Sequence, residues 1–109
     1  MATFTEHYLK TGSISTHTLT LEVELPELSG ASDAQVRYGT DSRGRVVRAA
    51  LHLLVDSPAR AADFDADAAR RERVLRELGT AIRGRCIAKS WIGASAIELV
   101  REALRAAIA

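Results

Sequence analysis

The stretch from Thr18 to Glu27, TLTLEVELPE, alternates polar and apolar residues. Leu19, Leu21, Val23 and Leu25 share one face of an extended chain, and Thr18, Thr20, Glu22 and Glu24 share the other. That pattern predicts a half-buried strand between Ile14 and Leu25, ended by Pro26. Upstream, TFTEHYL alternates more weakly and runs into the turn-forming KTGS, so Thr3 to Leu9 is expected to be a first strand hairpinned to the second. Farther on, AQVRYGT and RVVRAALHLLVD flank DSRG, whose Asp41, Ser42, Arg43 and Gly44 read as a type I turn closed by a left-handed glycine. In the strand expected after this turn, Val47, Ala49, Leu51, Leu53 and Val55 make one apolar face, leaving Val46, Arg48, Ala50, His52 and Leu54 on a mixed face.

From Ala62 the period lengthens. Phe64, Ala68, Arg71, Leu75, Leu78 and Ile82 recur at helical spacing with Val74 and Ala81 beside them, and Gly84 stands where a helix C-cap belongs. Ser57-Pro58 fits the start of a helical turn, with proline at its favoured first position. Ser95 and Glu98 form a capping box for a last helix, striped by Ile97, Val100, Leu104 and Ile108. Between these helices RCIAKSWIG is compatible with a strand or a turn, with Trp91 expected to be a core anchor flanked by Ile87 and Ile92. The expected fold is α+β: a three- to four-stranded antiparallel sheet, its N-terminal strands in hairpins, followed by two helices packed on one face. Leu19, Leu21, Val23 and Leu25 are expected to meet Leu75, Leu78, Val100 and Leu104.

A chain of 109 residues is expected to be a single domain, 1–109, and its 47% apolar content supports a core without metal or disulfide. The net charge of +1 gives no global field for nucleic acid, yet charge is segregated. Residues 1–33 are acidic, whereas 34–61 and 83–109 are basic. A lone cysteine, Cys86, fits a reducing compartment, and with neither a secretory leader nor a long apolar run the expected location is cytoplasmic, without membrane contact. Thirteen Arg against two Lys, with many alanines, suggest a GC-rich bacterial or phage coding sequence.

The candidate chemistry is sparse. Asp63, Asp65 and Asp67 begin like a calcium loop, but Ala68 and Val74 stand where that loop requires Gly and Glu, so these acids are better read as helix-start residues. His7, His17 and His52 lack ligand spacing, so no metal, cofactor or catalytic residue is assigned. Cys86, near Arg83, Arg85 and Lys89, is expected to be a small buried residue rather than an activated thiol.

The strongest candidate is basic. Arg37, Arg43, Arg45 and Arg48 surround the expected DSRG turn, and Arg83, Arg85 and Lys89 form a second group expected to lie beside it, with His52 on the mixed strand face. Pairing of Arg37 and Arg48 with Glu22 and Glu24 on a neighbouring strand is the competing structural account. Val46, Ala50 and Leu54, apolar on the face away from the helices, call for a cover, most simply a second copy in a homodimer, with a rearrangement of the helices over both faces as the alternative. The expected function is non-enzymatic recognition of another macromolecule, chiefly an acidic protein surface, through the outer sheet face and the Asp41–Arg48 hairpin, as in a small inhibitor from a mobile element. The alternatives are nucleic-acid binding through the arginines, or a small enzyme or ligand-binding domain with a pocket near His52, His17 and Cys86.

Overall fold

The N-terminal alternation is realised as a hairpin. In the computed structural model, which describes residues 1–9, 16–56 and 68–108, β1 (Ala2–Leu9) and β2 (Thr16–Val23) pair antiparallel with Phe4 opposite Leu21 and Glu6 opposite Leu19. Phe4, Leu19, Leu21 and Val23 are buried, while Thr3, Thr5, His7, Thr18, Thr20 and Glu22 are exposed. The face expected to be greasy is therefore the one that carries the core.

The sheet has two strands among the described residues, not three or four, because the segment read as turn and strand is one helix, α1 (Asp33–Asp56), of 24 residues. Its start is capped: the Ser32 hydroxyl accepts from the Gln35 N–H at 3.1 Å, and the Gln35 side-chain carbonyl accepts from the Ala31 N–H at 2.7 Å. Residues 45–56 are apolar enough to fit either period, and burial decides between them. Val47, Ala50, Leu51 and Leu54 are fully buried, whereas Arg45, Arg48, Ala49 and His52 are exposed, a pattern with the helical repeat rather than strand alternation. Gly44 takes no left-handed conformation; among the described residues the positive φ belongs to Gly93.

Three further helices are described: α2 (Ala68–Gly84), the single turn α3 (Ala88–Trp91) and α4 (Ala96–Ile108). The expected Ser57-Pro58 start, Phe64 and the three acids Asp63, Asp65 and Asp67 lie outside the described residues. Within α2, Val74, Leu78, Gly79 and Ile82 are buried and Leu75 half-buried, close to the expected stripe. In α4 the stripe is rotated. Leu99, Val100, Ala103 and Ala107 are buried, while Ile97 and Ile108 are exposed, because α2 and α1 both press on the alanine-rich side and small residues let helices approach closely. Ser95 does cap α4, its hydroxyl accepting from the Glu98 N–H at 3.3 Å.

RCIAKSWIG is neither a full strand nor a simple turn. Ile87 makes one parallel bridge with Ser29, where the Ser29 N–H donates to Cys86 at 2.9 Å and the Ala88 N–H returns to Ser29 at 2.8 Å; the chain then coils into α3. α3 presses on α1 at Gly39, where an added Cβ would fall 2.6 Å from the Ala88 Cβ. Trp91 is fully buried as expected, with its indole N–H donating to the Arg85 carbonyl at 2.9 Å. β1 packs against α1 and β2 against α2.

Candidate functional site

The long helix, not a hairpin, displays the arginines. At 100° per residue, Arg37, Asp41, Arg45, Arg48 and His52 fall within an arc of about 80°, with Tyr38 beside it. All are exposed, Tyr38 to 66%. Arg37 and Arg48 lie about 16 Å apart along the axis, from the helical rise per residue. Among the described residues, Arg37, Arg45 and Arg48 form no ion pair; Arg45 makes only a 3.4 Å bond to the Ser42 hydroxyl. The competing account of these arginines fails on geometry. Glu22 and Glu24 border α2, whereas Arg37 and Arg48 ride on α1.

Arg43 does not belong to this surface. It is 3% exposed on the core side of α1, donates from Nη1 to the Pro26 carbonyl at 2.7 Å, and leaves Nε without a partner. Burial pushes its guanidinium below the ordinary value, and the nearby Cys86 thiol pulls the other way. That bond ties the chain at Pro26 to α1. Within one helical sequence, four arginines thus divide into three facing solvent and one facing inward, a separation that strand alternation misassigns.

The second basic group is dispersed rather than gathered beside the first. Arg85 is committed internally: its Nη2 meets the Glu102 carboxylate at 2.7 Å and its guanidinium lies 5.7 Å from the Trp91 ring centroid. Arg83 points toward the β2 side of α2, and Lys89 is exposed on α3. Ala50 and Leu54 are fully buried within the chain's own core and Val46 is half-buried against it, so the expected dimer contact is occupied by the protein itself. The apolar strand face that implied a second copy does not exist, because the helical period turns those residues inward.

His52 contacts the Glu6 carboxylate at 3.5 Å, an ion pair when the imidazole is protonated. Cys86 is exposed rather than buried, its thiol donating to the Arg83 carbonyl at 3.3 Å. It sits near Arg43, roughly 13 Å along α1 from His52 by helical rise, so these two do not line one pocket. The His17 side chain lies outside the described residues.

A cleft that the sequence reading missed opens between β2 and α2, with a volume of about 290 Å³. Leu21, Val23, Leu75 and Gly79 line it, with Arg76 and Arg83 on the helix side and Glu22 and Glu24 on the strand side. Its signal was present in the glycine of RELGTAIRG, which interrupts the apolar helix face where β2 crosses. Among the described residues, no group of three or more His, Cys, Asp or Glu is arranged to hold a metal ion, and no helix is long and apolar enough to cross a membrane. Compared with known proteins, the chain matches no family model, no curated protein and no solved structure.

Proposed function

We propose that this protein is a non-catalytic recognition module that receives an acidic patch of a partner protein on the outer face of α1. The carrying observation is the set of three exposed guanidiniums, Arg37, Arg45 and Arg48, unpaired on one helical face among the described residues. Every exposed arginine side chain left without a carboxylate keeps its donors available for bidentate bonds to one supplied from outside. Tyr38 adds an apolar ring with a polar tip at the edge of the same face, and tyrosine and arginine are the residue types that dominate protein interfaces. A net charge of +1 and the intervening Asp41 favour a shaped acidic protein surface over a phosphate backbone, which is held by a denser basic stripe.

The test is an NMR titration of the labelled chain with two probes, a Glu-rich amphipathic peptide and a duplex DNA. The peptide is expected to shift amides from Arg37 to His52. The Arg37→Glu/Arg45→Glu/Arg48→Glu variant should weaken it by about a hundredfold, since three rim contacts change from attraction to repulsion. Tighter binding of the duplex, with affinity falling steeply with salt, would assign the face to nucleic acid instead.

A further inference from the structure

We propose a second site: the free edge of β2 accepts an extended peptide as a third strand, with acidic or small side chains inward over α2 and basic side chains outward. β2 pairs only with β1 among the described residues, and none of its backbone groups bonds elsewhere, so its far edge offers an open row of N–H and C=O groups. An added strand would run about 4.8 Å from β2, which carries its inward side chains into the cleft above α2. Gly79 makes room there. A Cβ at that position would meet only Val23, at 3.7 Å.

The charges flanking the cleft define the guest. Arg76 and Arg83 form no ion pair among the described residues, not even with Glu22 and Glu24 across the same cleft. Glu22 is on the outward face of β2, opposite in sense to buried Leu21 and Val23, and Glu24 continues that alternation. Successive residues of a third strand therefore meet different chemistry. Inward positions approach Arg76 and Arg83 and the apolar floor, and outward positions stand beside Glu22 and Glu24 at cross-strand distance. A second copy of the chain fits poorly, because joining two β2 edges about a two-fold axis would bring both sets of Arg76 and Arg83 beneath one seam.

The test uses the full-length labelled chain and two peptides of about eight residues, a typical strand length, with identical composition. One alternates Glu and Lys at successive positions and is flanked by threonines, so that Glu and Lys face opposite sides of the strand; the other segregates the same residues into blocks. The alternating peptide is expected to shift and protect amides from Thr18 to Glu24, and to bind about tenfold more tightly than the block peptide, as a few cross-strand charge pairs would give. Arg76→Glu/Arg83→Glu should abolish that preference, whereas the triple reversal on α1 should leave it intact. Equal binding of both peptides, protection of β1 instead of β2, no binding, or concentration-dependent dimerisation that protects the same amides would each overturn the proposal.

Discussion

Two glycines on one helix show how a single residue's meaning depends on what lies beside it. Gly44 has nothing within 4 Å of an added Cβ, so in a helix it only weakens the backbone. Gly39 stands against Ala88, with an added Cβ 2.7 Å from its Cα and 2.8 Å from its carbonyl oxygen, so no side chain fits without moving α3. Gly44→Ala is expected to raise stability by about 0.5–1 kcal/mol, the usual helix-interior difference. Gly39→Ala should lower it by about 1–3 kcal/mol, because overpacking against backbone outweighs the same propensity gain. Urea midpoints of the two variants must move in opposite directions; a loss at Gly44 would restore the left-handed turn read from DSRG. Arg43 is the other instructive residue. Asp41 and Arg45, two residues away on either side, are exposed, and only its angular position on α1 places Arg43 under the Pro26 carbonyl.

At the scale of the element, α1 begins from a signal that was legible but overlooked. Ser32 and Gln35 are spaced as a capping box, and both side chains are used as caps. Ser32→Ala is expected to cost about 1 kcal/mol, the common loss for such a cap, measurable by thermal or denaturant unfolding with helicity followed by circular dichroism. An unchanged midpoint would mean that packing of α1, rather than its cap, sets where the helix starts. Helix α4 teaches the complementary lesson. Its Ser95 cap and the inward Val100 and Leu104 were correctly placed from sequence, whereas Ile97 and Ile108, expected on the same stripe, are exposed. Ala103 and Ala107 are buried on that helix, which packs against α2, and the Arg73 guanidinium reaches across to the Ala107 carbonyl at 3.3 Å.

At the scale of the whole molecule, sheet and helices share a single core. Phe4, Leu21 and Val23 join Leu51, Leu78, Trp91 and Val100 in one buried cluster, so no element has an apolar face of its own to survive alone. A two-stranded hairpin is marginal in water and depends on the helices beneath it. Trp91, the chain's one tryptophan, lies fully inside that cluster and reports on it directly. Its fluorescence and the far-ultraviolet dichroism are expected to lose their native signals in one coincident urea transition. Separate transitions would show that hairpin and helices fold as distinct units. The same layering leaves the two proposed surfaces on different elements, α1 for an acidic partner and β2 for a strand, which is why charge reversal at one should not disturb the other.

What the sequence by itself determined is whatever depends on local order: the N-terminal hairpin with its inward Leu19, Leu21 and Val23, the approximate extent of α2, the Ser95 cap and a buried Trp91. These follow from periodicity and side-chain-to-backbone bonds that act over a few residues. Tertiary structure alone decided the state of residues 33–56. An apolar run from Val46 to Val55 satisfies both strand and helix periods, and only the helix turns Val47, Leu51 and Leu54 together onto one core while Gly39 docks on Ala88. That choice replaced the expected arginine hairpin with one face of α1, buried the expected dimer residues, set Arg83 and Arg85 apart from that face, and left β2 with β1 as its one partner strand among the described residues, because each of those features is set by which side of an element meets the rest of the chain.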